Sequence, residues 1–185
     1  MAKLSTSAWI LHDLGMAAGF GGTLFGKAAL DPAVKAIGSR EERGRVLDDA
    51  WSRFRVLDTI ALGTMAATWW AGRSAFSGRR LGRETRALVI AKDVLVGGAL
   101  LTGIASLVGG TVLHRRQRLH GEVPLTSGYR PGPETPRDIA SAVRFLSVMG
   151  PINTALVAGA IGVSAALAHA SGRSARRGAV SRLLP

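Results

Sequence analysis

The sequence contains no cysteine, which removes disulfide frameworks, thiolate-bound zinc, cysteine-ligated iron–sulfur clusters and thiol nucleophiles in one step. It is also poor in acids and aromatics. Asp and Glu number 12 against 24 Lys and Arg, a formal net charge of +12, and Phe, Trp and Tyr make up 5% of the chain with one tyrosine. The four histidines show no metal-site spacing such as H-E-x-x-H. What is present is apolar: 47% of residues are hydrophobic and mean hydropathy is +0.22. Basic charge on ordinary hydrophobicity would suggest a nucleic-acid binder, and high charge with low hydrophobicity would suggest disorder. Here the charges lie between long apolar runs, so a membrane-embedded chain explains both features, and 185 residues suit one domain.

Four such runs stand out, about Ala8 to Leu30, Val56 to Phe76, Ala87 to Leu113 and Ile139 to Ser171. Each exceeds the ~20 helical residues that cross a hydrocarbon core. The first is too long for a signal-peptide h-region and is expected to be retained. The sequence therefore predicts an all-α integral membrane bundle of four transmembrane helices. Gly15/Gly19 and Gly22/Gly26 are G-x-x-x-G spacings, repeated as Ala99/Gly103, Ser106/Gly110, Ala155/Gly159 and Ala158/Gly162. In lipid, where apolar burial gives no drive between helices, small residues at this spacing allow close backbone approach.

Between the first two runs, Asp31-Pro32 reads as an N-cap with proline at N1, and Ser39 with Glu42 as a capping box. Leu47, Trp51 and Phe54 then recur at helical spacing among Arg and Asp, predicting an amphipathic helix over 40–55 that lies at the interface before the second span. Residues 122–136 are rich in Pro and Gly and read as irregular, with Thr135-Pro136 capping the last helix. Trp9, Trp69 and Trp70 fit an aromatic belt at one interface and Trp51 the other. Four spans place both termini on one side, expected to be the cytoplasmic side, where basic residues are dense and Glu84 is the single acid, although Arg115-Arg116-Gln117-Arg118 resembles a cytoplasmic stop signal. The tail over 172–185, with Arg173, Arg176, Arg177 and Arg182, suits anionic lipid; it lacks the interleaved aromatics of a nucleic-acid binder.

Ionisable residues inside a span are costly and mark candidate sites. His12, Asp13, Lys92 and Asp93 fall near one membrane face, and Lys27, Asp58 and Arg144 near the other. The first group reads either as paired charges at helix ends or as a proton, ion or anionic-ligand site with Asp13 and Asp93 titrating. His12 and His169 would share a face, a geometry that could hold a b-type haem, although no cofactor or metal is expected. Gly150-Pro151 interrupts the last run, so a kink or unwound segment is expected, with Asn153 bonding a freed carbonyl or pointing into a ligand cavity.

The run Pro151-Ile152-Asn153 to Leu156, together with the Gly-rich first helix ending in Leu30-Asp31-Pro32, resembles four-span bacterial membrane proteins of the anthrone-oxygenase-like group. The label implies cofactor-free oxidation of polyketides; the likeness carries across neither an activity nor a catalytic residue. The residues by themselves lead to a non-enzymatic multi-pass protein of a bacterial cytoplasmic membrane, a subunit of a larger complex or a self-associating bundle. The alternative is a small transporter or proton-coupled channel, and the third reading a haem-binding or enzymatic membrane protein.

Overall fold

The structure, a computed structural model, describes residues 6–76, 82–120, 125–127 and 130–180. It is all-α: helix α1 (Thr6–Phe25) runs through a π-helical turn, Gly26–Leu30, into the short α2 (Asp31–Val34); α3 (Arg40–Phe76), α4 (Arg83–His120) and α5 (Arg137–Val180) follow. Two short antiparallel strands, β1 (Leu125–Ser127) and β2 (Arg130–Pro131), pair Leu125 with Pro131 and Ser127 with Arg130. The segment read as irregular thus contains a small sheet. Among the described residues α1 packs on α3 and α5, and α4 on the same two, so the long helices form a ring with α1 diagonal to α4.

The junctions differ in two places from what the sequence suggests. Leu30 and Asp31 both keep right-handed helical dihedrals, and the Asp31 N–H donates to the Gly26 carbonyl, five residues back. Asp31 therefore does not open a separate helix; the chain passes Pro32 by widening one turn, which relieves the missing proline donor. The second difference is α3, continuous over 37 residues, about 55 Å at ~1.5 Å per residue, with no turn between 55 and 56. No proline lies within it, and Trp51 and Phe54 of its amphipathic start pack against Gly26 and Gly22. At its N-terminus the Ser39 hydroxyl accepts from the Glu42 N–H at 3.2 Å, as the capping spacing implies. The exposed Glu41 carboxyl is held below its usual range by its own backbone N–H and by the Ser39 hydroxyl. Before α5, the Thr135 hydroxyl instead accepts from the Gly132 N–H at 2.8 Å, closing the preceding turn.

The α1–α3 seam is built on glycine. A Cβ at Gly15 would lie 2.7 Å from the Ala61 carbonyl oxygen, one at Gly19 3.6 Å from Asp58, and those at Gly22 and Gly26 would overlap the Phe54 and Trp51 rings. The G-x-x-x-G face of α1 is thus consumed inside the chain. Gly103 and Gly110 of α4 meet Leu62 and Arg55 of α3, and Gly98 and Gly159 accept Leu156 and Leu95 across the α4–α5 contact. The core over these contacts holds Met16, Met65, Trp69, Val96 and Val157.

Large apolar side chains point outward from every long helix: Leu14 and Phe25 on α1, Leu57 and Ile60 on α3, Val94 and Leu101 on α4, Val148 and Ile152 on α5. Such a surface does not suit water. By length and composition two helices could cross a membrane, α4 over Arg83–Leu119 and α5 over Arg137–Ala170. His12 and Asp13 in α1, and the charged first half of α3, set the other two apart. The side chains of the basic tail lie outside the described residues.

A residue larger than glycine in the seam is expected to force helices apart. Gly22→Val should cost about 1–3 kcal/mol of stability by overpacking against Phe54, read as a lower melting temperature in detergent. Gly21→Val, at a position with no neighbour within 4 Å, should stay within about 0.5 kcal/mol of the parent.

Candidate functional site

Two polar layers lie inside the bundle. Lys92 and His114, one in each layer and both on α4, are about 33 Å apart at ~1.5 Å per residue, close to the thickness of a hydrocarbon core.

The first layer brings together the four residues singled out near one face. His12 is buried, and its Nδ1–H donates to the Met65 carbonyl at 2.9 Å, with the Thr68 hydroxyl 3.1 Å away. The ring lies between Trp9 and Trp69, and Nε2 has no partner. Lys92 is fully buried: its Nζ donates to the Ser164 hydroxyl at 2.5 Å and sits 4.4 Å from the Trp69 ring centre. This is a cation on an aromatic face, which offsets part of its lost hydration. Asp93 accepts from the Trp69 indole at 2.9 Å and from Arg73 at 2.9 and 3.0 Å. Asp13 is exposed and shares with Lys92 an opening between α1 and α5. Trp69 is therefore core, 1% exposed, while its neighbour Trp70 at 48% faces outward. His169 is exposed and lines a separate opening between α4 and α5 with Glu84, so the structure does not bring His12 and His169 to one cavity.

The second layer lines a partly open cavity of about 140 Å³ between all four long helices. Of the sequence candidates, Lys27, Asp58, Gly150 and Asn153 line it. Arg144 and Pro151 are exposed and do not. The helix is not unwound at Pro151: α5 stays helical, and Thr154 bonds the Gly150 carbonyl at 2.8 Å. Asn153 is 4% exposed and lines the cavity, with its Oδ1 unpartnered among the described residues. Asp58 lies beside Gly19, about two turns inward of Trp51, which places it deeper than its sequence position suggests.

The remaining wall was not singled out in the sequence. Asp48 pairs with His114 Nδ1 at 2.6 Å, Arg55 donates to the Gly110 carbonyl at 3.3 Å, and Ser106, Gln117, Trp51 and Phe54 complete the lining with Leu113, Leu125 and Val143. Asp48 and Arg55 read as the wet face of an interfacial helix, Ser106 as a packing residue, and Gln117 as part of an arginine run. Only the helix packing turns them to one space. Five buried side-chain atoms lack a hydrogen-bond partner among the described residues, and four line this cavity: Asp58 Oδ1, Ser106 Oγ, Gln117 Oε1 and Asn153 Oδ1. Compared with known protein families, curated proteins and solved structures, the chain matches none.

The two layers should respond differently to substitution. Lys92→Met keeps the volume and removes a buried ammonium, so it should leave the melting temperature unchanged or raise it. Asp93→Ala takes the acceptor from both the Trp69 indole and Arg73 and should cost about 1–3 kcal/mol on the same measurement.

Proposed function

We propose that the chain is a four-span protein of the bacterial cytoplasmic membrane, termini on the cytoplasmic side, that takes a small amphipathic solute into the cavity between its helices. The observation that carries this reading is the convergence on one cavity of four buried polar atoms that are unpartnered among the described residues. An unpaired buried polar group costs about 1–3 kcal/mol, so four in one place are retained because something supplies their hydrogen bonds. A cavity of about 140 Å³ matches the size of one that accommodates a single aromatic ring. Its walls combine polar groups, Asp58, Ser106, Gln117 and Asn153, with apolar ones, Trp51, Phe54, Leu113, Leu125 and Val143. That mixture suits a molecule with both a polar and an apolar part. Four spans are supported by the outward-facing apolar residues on all four long helices and by the spacing of the two polar layers.

The reading favours the binding or transport alternative over a packing subunit, because seven of the eight glycines at the small-residue spacings meet neighbours within the chain, Gly162 being the exception. It also moves the site from Asp13 and Asp93 to Asp58. Asp93 is neutralised by Arg73, and Asp13 is exposed.

Absence of cysteine makes topology directly readable. Single cysteines replacing Ser39 and Glu134 should react with an impermeant maleimide from one side of oriented vesicles and one replacing Gly82 from the other; labelling of all three from the same side would refute four spans. For the cavity, benzyl alcohol should raise the melting temperature of the detergent-purified protein. Ser106→Leu, which fills the space, should abolish that rise while leaving the protein folded.

A further inference from the structure

Asp58 differs from the other acids of the bundle interior. Asp48 has His114, Asp93 has Arg73 and Asp31 has Lys35. No cation of the described residues lies within 4 Å of Asp58, and its Oδ1 is both inaccessible and unpartnered. Burial of a carboxylate without a counter-charge disfavours its anion and favours a proton or a ligand's cation on it.

The other charges facing the cavity do not supply that cation. From α3, the Arg55 guanidinium is turned to the Gly110 carbonyl, and Asp48 is held by His114 of α4. From the π turn after α1, Lys27 lines the cavity, half-buried, and forms no ion pair with Asp58. Among the described residues α5 contributes no charge to the lining. Around Asp58 the unpartnered atoms are acceptors: the Asn153 carbonyl and its own Oδ1 can only accept, and the Ser106 hydroxyl can do so. A group rich in N–H donors satisfies all three. Trp51 and Phe54, whose rings meet at 5.7 Å, offer an aromatic wall where such a molecule's ring can lie.

Resting on the cavity reading above, we infer that the solute is a ring-bearing organic amine, and that its ammonium group replaces a proton on Asp58. The exchange balances: the carboxylic acid releases one proton, the ammonium enters with its charge intact, and the cavity stays neutral at that position. In a membrane such an exchange links movement of the amine to an opposite movement of one proton.

Benzylammonium, benzyl alcohol and benzoate share a ring size and differ in charge, so calorimetric titration of the detergent-purified chain separates them. Benzylammonium is expected to bind at least tenfold more tightly than benzyl alcohol and to release a proton, seen as a heat that varies with the ionisation enthalpy of the buffer. Asp58→Asn should weaken the amine at least tenfold, remove the proton release and abolish the preference for the amine over benzyl alcohol. On the unmodified chain, a hydrophobic carbodiimide should label Asp58 and benzylammonium should block it, so the inference is tested even where the variant does not fold. Equal binding of the alcohol or benzoate, or an amine that neither releases a proton nor protects Asp58, overturns the amine inference and leaves a ring-sized site standing. Failure of all three to bind overturns the cavity reading with it.

Discussion

The close approach of α1 to α3 is the contact on which the rest of the bundle depends. Gly15, Gly19, Gly22 and Gly26 let the two backbones come near enough for the Ala61 carbonyl to lie against α1 and for the Phe54 and Trp51 rings to sit where side chains would otherwise stand. At so short a separation, dispersion contact between the two helices is at its strongest. The same stripe that holds α1 to α3 turns Phe54, Asp58 and Trp51 toward the bundle interior and fixes two walls of the cavity.

The π turn at Gly26–Leu30 belongs to the same constraint. Gly26 is the last glycine of the stripe, and the widened turn after it carries Lys27 to the cavity before the chain passes Pro32. Such turns accompany functional positions because they redirect side chains without ending the helix. On the opposite side, Leu125 of the small sheet packs on Ile139 and Val143, so the segment between α4 and α5 forms part of the cavity wall.

The interior is arranged as two polar layers with different duties. Around Lys92 nearly every polar group has a partner within the chain, Ser164 for the ammonium, Met65 for His12, Arg73 and Trp69 for Asp93; such a network fixes the register of the helices. Around Asp58 the partners are missing among the described residues. The first layer is the richer in charge, whereas four of the five unpartnered buried atoms among the described residues gather in the second.

Several features were determined by the sequence alone. An all-helical fold follows from apolar runs too long for strands, the start of α3 from Ser39 and Glu42, and the gathering of His12, Asp13, Lys92 and Asp93 at one end from their places in antiparallel runs. Helical periodicity and capping are local, so neighbouring residues suffice to specify them. The tertiary structure alone decided that α3 continues unbroken, that Trp69 is core and Trp70 is not, that the glycines of α1 serve α3 rather than a second molecule, and that Asn153, Ser106 and Asp58 face one space. These depend on the rotation of each helix about its axis, and that angle is set by what the other helices present, which no single stretch of the chain records.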